Sequence, residues 1–168
     1  FKNYFKHIGR PFNLILKRIG IKNNYKKIYG FYKYNSIKYN SAIKYYPNTL
    51  NILKKLHQKK FQLCIVTSKD SSRTKKFLGA NSKYFTQIKC HKDTIKGKPH
   101  PNMLNSIIKK LNVNKKDCIY IGDTHIDYLT AKNAGIDFMF AMWGYGKNYN
   151  YKHKSKSILE LEKIFKVI

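Results

Sequence analysis

Acidic residues are scarce in this chain. Eight Asp and Glu stand against 35 Lys and Arg, which gives a formal charge of +27 over 168 residues. A charge of this size attracts polyanions, and phosphate contacts from basic side chains underlie nucleic-acid binding. Almost all the basic residues are lysine, however, and they are spread along the whole chain without a binding motif. Drift towards A/T-rich codons also explains the abundance of Lys, Asn, Tyr, Ile and Phe. We therefore expect weak, salt-sensitive adhesion to polyanions and no specific nucleic-acid binding.

Cysteines and long apolar runs are also few. The three cysteines form no C-x-x-C pair, and Cys64 and Cys118 lie in apolar, strand-like runs. Free cysteine in such surroundings behaves as a small hydrophobic residue, and unpaired thiols are typical of a reducing compartment. No run approaches the roughly 18 uninterrupted apolar residues of a membrane helix, and the amino end lacks the apolar segment of a signal peptide. We expect a cytoplasmic protein without a membrane partner.

Two regions of different pattern follow each other along the chain. In residues 1–46, aromatic and aliphatic side chains recur at helical spacing, with a break at Ile8-Gly9-Arg10-Pro11. This pattern predicts a small helical module that is packed through Tyr and Phe. In residues 47–168, helix-like and strand-like segments alternate, which predicts a parallel sheet with crossover helices. The expected organisation is thus a helical unit followed by an α/β core.

Two carboxylates follow one predicted strand of the core. Residues 118–121 form an apolar run that stops at Gly122, and Asp123 and Asp127 come next. A helix is predicted over residues 124–134. Open α/β sheets bind their ligands at the carboxyl ends of strands, and paired carboxylates there suit Mg²⁺ with a phosphate ligand. Alternatively, Asp123 caps the helix and the helix dipole favours Asp127. The pair by itself leaves both interpretations open.

Other polar groups follow the remaining strand and loop. Thr67 and Ser68 come after a strand predicted over residues 61–66, and Lys98 lies in the loop before a helix predicted at residues 102–111. Hydroxyl groups and an ammonium group beside a carboxylate pair suit a phosphoryl group with its metal. Each group has an ordinary alternative, because Thr67 and Ser68 are typical helix caps and Lys98 is one of many lysines. The order and spacing of the three groups together favour a shared site.

The same residues resemble the haloacid dehalogenase superfamily, and within it the phosphoglycolate-phosphatase-like branch. Residues 65–69 resemble the family's second motif, whose Thr or Ser binds the phosphoryl group. Lys98-Pro99-His100-Pro101 resembles the third motif, and residues 121–127 resemble the fourth, whose acidic pair binds Mg²⁺. Residues 1–46 resemble the helical cap of this branch. The likeness extends over essentially the whole chain.

This resemblance implies a fold, an activity and a site. The fold is a Rossmann-like parallel sheet with crossover helices and a small helical cap. The activity is Mg²⁺-dependent hydrolysis of a small phosphorylated metabolite through an aspartyl-phosphate. Thr67, Ser68 and Lys98 would bind the phosphoryl group, Lys98 would act in catalysis, and Asp123 and Asp127 would hold Mg²⁺. The sequence does not indicate which phosphorylated compound is the substrate, nor the oligomeric state. Phosphate transfer between carbons of a sugar, or pyrophosphate hydrolysis, would use the same core residues.

One departure from the family pattern is large. The family's first motif, a strand followed by D-x-D-G-T, carries the nucleophilic Asp and the general acid/base. No two acidic residues of this chain form a D-x-D pair, and none precedes Asp70. The resemblance therefore implies either that the nucleophile lies upstream of Phe1, outside this chain, or that the protein is a non-catalytic relative that binds a phosphorylated ligand or a partner. It also implies that a central strand is missing between the strands that end near Val66 and Ile121, which leaves unpaired backbone groups and low stability.

Overall fold

The computed structural model describes residues 2–91, 96–147 and 149–166. Helices and strands alternate after an all-helical beginning, as the sequence predicted. The α-helices are α1 (Lys2–Phe5), α2 (Phe12–Arg18), α3 (Tyr25–Lys38), α4 (Thr49–Gln58), α5 (Ser71–Leu78), α6 (Asn102–Leu111), α7 (His125–Ala134) and α8 (Glu160–Ile164). The strands are β1 (Cys64–Thr67), β2 (Gln87–Cys90), β3 (Ile119–Gly122), β4 (Asp137–Ala141) and β5 (His153–Ser155). Short 3₁₀ turns cover Asn40–Ala42, Gly79–Tyr84 and Lys115–Asp117. Within the described ranges, no helix is long and apolar enough to cross a bilayer.

The strands pair in parallel but form two separate sheets. β1 pairs with β2, and β3, β4 and β5 follow one another in the second sheet. β1 and β3 are therefore each at an edge, and the two edges belong to different sheets. The Tyr120 side chain of β3 reaches β1, because its hydroxyl lies 3.2 Å from the backbone carbonyl of Val66. The predicted interruption between these two strands is thus present in the described part of the chain.

The core is divided between the two faces of β4. Met139 packs with Ile52, Leu56 and Leu161 on one face. Phe138 and Phe140 pack with Ala131 of α7 and with Tyr151 on the other face. Successive side chains of a strand point to opposite faces, so β4 is covered on both, as parallel strands usually are. The residues of β1 and β3, in contrast, are only half-buried.

The helical beginning of the chain matches its prediction in secondary structure but only partly in packing. α1 ends before the Ile8 to Pro11 break and α2 begins directly after it. The Phe12 ring stacks on Tyr32 at a centroid distance of 3.8 Å. However, α3 has no buried residue, and Phe31 and Tyr39 are 72% and 57% exposed. The predicted packing through Tyr and Phe thus holds for Phe12 and Tyr32 but not for Phe31 and Tyr39.

Two further differences concern the core. The sequence did not predict β5, which pairs with β4 through Met139 opposite His153. The predicted strand over residues 61–66 is shorter and later, at Cys64–Thr67. The two strand ends that carry the predicted site residues are nevertheless where the sequence placed them.

Candidate active site

The structure collects three of the predicted site residues around one cavity. Thr67 and Ser68 at the end of β1 and Lys98 before α6 line a space of about 350 Å³. The opposite wall is formed by the helical beginning of the chain, including Gly9, Arg10 and Phe12. Asp123 and Asp127 are not among the lining residues. Asp127 is linked to the cavity through Lys98, whereas Asp123 follows the end of β3 and contacts the turn after β4.

Lys98 and Asp127 form a buried ion pair. The Lys98 Nζ lies 2.6 Å from Asp127 Oδ1, and the two side chains are only 8% and 5% exposed. Lys98 also donates to the Tyr120 hydroxyl at 3.3 Å. The interpretation of Lys98 as one more solvated lysine is therefore wrong. A buried ammonium group needs such a partner, because an isolated charge in the interior is strongly unfavourable.

The electrostatic balance keeps both groups of the pair charged. Burial alone would raise the pKa of Asp127 and lower that of Lys98. For Asp127, the Lys98 charge and hydrogen bonds from Lys98, Thr124 and Tyr120 outweigh burial, so its pKa is lowered. For Lys98, Tyr120 and Asp127 outweigh burial, so its pKa is raised. Burial raises the pKa of the Tyr120 hydroxyl, which stays protonated.

The second oxygen of Asp127 is fixed by the start of α7. Thr124 caps this helix, and its backbone N–H and hydroxyl lie 3.1 and 2.6 Å from Asp127 Oδ2. The capping residue is thus Thr124 and not Asp123, which corrects the alternative derived from the sequence. Gly122 leaves the room for this arrangement, since a Cβ there would collide with the Asp127 side chain. Both carboxylate oxygens of Asp127 are therefore occupied by contacts within the chain.

Asp123 lies in different surroundings. Its Oδ2 accepts a hydrogen bond of 2.8 Å from the backbone N–H of Tyr145, in the turn after β4. A Cβ at Gly144 or Gly146 would collide with Asp123, so the glycines let this turn approach it. Asp123 Oδ1 accepts no hydrogen bond from the described residues and remains available. Within those residues, no group of three or more His, Cys, Asp or Glu is arranged to hold a metal.

Thr67 and Ser68 present their hydroxyl groups to the cavity region without capping α5. The cap is Asp70, whose side chain accepts from the Arg73 backbone N–H at 2.8 Å. The helix-cap alternative for Thr67 and Ser68 is therefore wrong. Thr67 Oγ1 accepts from the Lys69 backbone N–H at 3.1 Å, which leaves its own proton free to donate to a ligand. The Ser68 hydroxyl donates to the Gly9 carbonyl at 2.6 Å.

Comparison with known families identifies the group of proteins. A family model described as haloacid dehalogenase-like hydrolase matches residues 2–141. The chain belongs to the haloacid dehalogenase-like hydrolase family. The resemblance inferred from its motifs is thereby confirmed, and so is the fold class.

Individual relatives of the chain are named as a phosphatase and a pyrophosphatase. The chain is 32% identical over 110 residues to a phosphoglycolate phosphatase of Vibrio parahaemolyticus, over 64% of this chain and 46% of the relative. It is 28% identical over 138 residues to the pyrophosphatase PpaX of Halalkalibacterium halodurans, over 80% of this chain and 64% of the relative. The chain thus spans about half to two thirds of the length of these curated relatives.

A solved structure shows the same fold. A haloacid dehalogenase-like family hydrolase from Streptococcus pneumoniae superposes with a TM-score of 0.81 at 22% sequence identity. The superposition covers 98% of this chain and 80% of the other. At this identity the likeness concerns the architecture alone.

Several residues around the cavity were not assigned to the site from the sequence. Gly9 has a φ of +97°, and a Cβ on it would lie 2.7 Å from Thr124 Oγ1, so only glycine lets the loop reach the core here. Asp70 and Arg73 form an ion pair on the cavity wall. Tyr120 joins Lys98, Asp127 and Val66. The Gly-Arg-Pro sequence indicated a break in the helices at this loop. Nothing in the sequence indicated the contacts of Tyr120, because a tyrosine in an apolar run is also typical of an ordinary buried strand.

Proposed function

We propose that the protein acts on small phosphomonoesters as a phosphatase of the phosphoglycolate-phosphatase-like type. The observation that carries this proposal is the cavity in which Thr67, Ser68 and the ion-paired Lys98 converge at the end of β1. Hydroxyl and ammonium donors of this kind stabilise the charge of a phosphoryl group during its transfer. The named activities of the two curated relatives, both of which are phosphatases, support the same reaction class.

In this proposal, Thr67 and Ser68 bind phosphoryl oxygens and Lys98 supplies positive charge to them. Ser68 must release the Gly9 carbonyl for this role, because its single proton is donated there at 2.6 Å. Asp127 acts through Lys98, since it fixes the ammonium group by a contact of 2.6 Å and has no oxygen left for another partner. Substrate binding thus includes a local opening of the loop at Gly9.

Of the two carboxylates predicted to hold Mg²⁺, one suits direct binding of the metal. Mg²⁺ is usually held by one or two carboxylates together with several waters and a substrate phosphate. Asp123 meets this requirement, because its Oδ1 is available at the carboxyl end of β3. Asp127 is better suited to orient Lys98 than to bind the metal directly, although both were predicted as metal residues. When bound, Mg²⁺ would neutralise charge on the phosphoryl group.

The nucleophile of the proposed reaction lies outside this chain. Asp70 lines the cavity, but it caps α5 and pairs with Arg73, so its carboxylate is committed. Asp93 lies outside the described residues. We infer that an Asp from an upstream D-x-D-G-T motif attacks phosphorus in line as the bond to the leaving oxygen breaks. Water then hydrolyses the aspartyl-phosphate, which regenerates the carboxylate and releases phosphate. The present chain alone should show no turnover.

The second candidate is a non-catalytic relative that binds a phosphorylated ligand or a partner. The observation in its favour is the absence of any D-x-D pair from the sequence. The codons immediately upstream of Phe1 distinguish the two, because an in-frame D-x-D-G-T stretch favours the enzyme. A start codon without such a stretch favours the relative.

The enzyme proposal is tested by measuring phosphate release from 2-phosphoglycolate with Mg²⁺. A chain extended upstream by a D-x-D-G-T motif should turn over, and the present chain should not. In the extended chain, Asp123→Asn should lower kcat/KM by at least two orders of magnitude. Asp137→Asn is the matched control, because Asp137 is an exposed acid at the amino end of β4. Full activity of the Asp123→Asn variant would refute the metal assignment.

A further inference from the structure

One edge of the second sheet carries exposed tyrosine, histidine and lysine side chains. β5 is the outer strand of this sheet, on the side away from the interruption between β1 and β3. Tyr149 precedes β5 and is 58% exposed, and Lys152 and Lys154 are exposed as well. Neither lysine forms an ion pair within the described part of the chain. Together with the exposed His125 at the start of α7, these three residues form the β5-edge surface.

The two rings of the β5-edge surface rest on a buried ring. Tyr151 is 7% exposed and packs on Phe140 at a centroid distance of 5.0 Å. Its hydroxyl lies 3.1 Å from Nδ1 of His125. The Tyr149 ring lies 5.0 Å from the His125 ring and 6.1 Å from the Tyr151 ring, between centroids. Tyr149 and His125 are therefore neighbouring rings that are open to solvent and held in place by the core.

The lysines lie on the same side of the sheet as these rings. Lys154 is opposite Phe140 in the β4–β5 pairing, and paired residues of parallel strands project from the same face of a sheet. Phe140 and Tyr151 belong to the cluster on the α7 face. Lys154 therefore extends from the face that carries the rings, and its Nζ lies 3.5 Å from the neutral side-chain oxygen of Asn150. Lys152 comes two residues earlier in the same exposed segment.

The positive charge of this edge is not compensated locally. Residues 138–159 contain four lysines and no Asp or Glu. The acids at the two ends of this segment are directed elsewhere. Asp137 lies two residues before Met139 and thus projects from the opposite face of β4. Glu160 accepts a hydrogen bond of 2.7 Å from the backbone N–H of Lys156, beyond the end of β5. Lysines beside exposed rings, without a nearby acid, attract a polyanion.

We propose that the β5-edge surface binds single-stranded nucleic acid without sequence preference. Exposed aromatic rings stack on unpaired bases, and lysines beside them contact the phosphates. Bases in a duplex are already stacked on one another, so the single strand is the partner that such rings favour. A lipid surface fits less well, because the residues that define this edge include no Trp, Phe or Leu to insert among acyl chains. The sequence predicted only weak adhesion along the whole chain, whereas the fold gives it one location and adds stacking.

The contribution of stacking is tested with ligands that have bases or lack them. Binding of a fluorescein-labelled oligothymidylate of about 12 nucleotides is followed by fluorescence anisotropy. We expect Tyr149→Ala to weaken this binding roughly tenfold, because one stacked base is lost. Heparin, a polyanion without bases, should bind this variant as tightly as it binds the unmodified chain. The duplex of the same oligothymidylate with oligoadenylate should also be insensitive to the change.

The contribution of the lysines is tested through the salt dependence. The logarithm of the single-strand binding constant falls against the logarithm of salt concentration with a slope of about 0.7 per phosphate contact. Lys152→Gln combined with Lys154→Gln should therefore reduce the slope by about 1.4, measured between about 50 and 200 mM salt. Lys26→Gln combined with Lys27→Gln is the matched control, because both residues are exposed on α3. This control should leave the slope unchanged.

Tyr34→Ala is the matched control for the ring, because Tyr34 is 64% exposed on α3. It should bind oligothymidylate like the unmodified chain, and far-ultraviolet circular dichroism checks the fold of every variant. Equal losses of affinity in Tyr34→Ala and Tyr149→Ala would overturn the proposal, as would an equal loss of heparin and oligothymidylate binding in Tyr149→Ala. If Tyr149→Ala weakens binding to vesicles of phosphatidylserine and phosphatidylcholine but not to oligothymidylate, the surface binds lipid and the proposal is wrong.

Discussion

The ammonium group of Lys98 lies 2.6 Å from the Asp127 carboxylate, and both side chains are almost completely buried. Removing one partner of such a pair leaves a buried charge without compensation, which costs about 3–5 kcal/mol. We therefore expect Lys98→Met to lower the free energy of unfolding by an amount in this range, measured by urea denaturation. Lys98→Met combined with Asp127→Asn should be destabilised by less than the sum of the two single changes.

The matched control for this prediction is the pair of Lys55 and Glu162. Its N–O distance of 2.9 Å is similar, but the side chains are 35% and 20% exposed. Ion pairs open to solvent contribute about 0–1 kcal/mol, so Lys55→Met should have a small effect. Equal losses in Lys55→Met and Lys98→Met would show that burial of the Lys98 pair has no energetic consequence.

The same pair predicts the pH dependence of stability. The pKa of Asp127 is lowered in the folded chain, so its contribution is fully present above its unfolded value of about 3.9 and is lost as the pH falls through the folded value. The pKa of Lys98 is raised, so its contribution is fully present below about 10.4 and is lost as the pH rises through the folded value. Urea denaturation at a series of pH values should give a plateau between these limits. The acid limb should be shallower in Asp127→Asn, and an unchanged limb would contradict the assignment.

Gly9 and Gly20 give a matched test of how the loop closes on the core. Both have positive φ, +97° and +85°, so alanine at either position costs about 1–2 kcal/mol in backbone strain. A Cβ on Gly9 would also lie 2.7 Å from Thr124 Oγ1 and 3.1 Å from Ile126 Cβ, whereas a Cβ on Gly20 meets nothing within 4 Å. Gly9→Ala should therefore be the more destabilising change and should increase proteolysis of the loop. Similar losses of stability in the two variants would mean that this contact does not hold the loop.

The sequence was sufficient to predict those parts of the fold that are encoded by local pattern. The helix at residues 102–111 and the strand–glycine–helix transition at Gly122 lie where they were expected. β5 was missed because its three residues, His-Lys-Ser, are polar and gain their strand geometry from backbone pairing with β4. Such pairing is non-local and leaves no periodicity in the sequence.

The candidate site was predictable in its residue types but not in its internal contacts. Thr67, Ser68 and Lys98 line one cavity, and their role in binding a phosphoryl group stays a prediction. Which lysine is buried could not be derived from composition, because 35 basic residues make each one look solvated. The unequal surroundings of Asp123 and Asp127 depend on Tyr145 and Thr124, and only the folded chain shows that each carboxylate meets a different partner.

The interruption between β1 and β3 predicts that a peptide stabilises this chain. Both strands have an edge without a strand partner among the described residues, and such edges are prone to aggregation. Backbone amides of β1 and β3 should therefore exchange with solvent faster than those of the doubly covered strand β4. A peptide with an apolar, β-branched stretch followed by Asp-x-Asp-Gly-Thr should slow this exchange and raise the melting temperature. At a peptide concentration one hundred times its Kd, the expected gain in stability is about 2.7 kcal/mol.

The control is a peptide of identical composition in scrambled order, which lacks the strand pattern and should have no effect. The specific peptide should also disturb the contact of 3.2 Å between the Tyr120 hydroxyl and the Val66 carbonyl, because this contact joins β3 to β1 in the space that the peptide strand would occupy. The chain has 14 tyrosines, so the fluorescence of Tyr120 cannot be separated from that of the others. The Tyr120→Phe variant, which lacks the hydroxyl, is used instead to test whether this contact opposes peptide binding. This variant should bind the peptide at least as tightly as the unmodified chain, since the hydrogen bond to the Val66 carbonyl no longer has to be broken. Cooperative, reversible unfolding of the monomeric chain without peptide, together with equal protection of β1, β3 and β4, would show that the two sheet edges are stable as they stand.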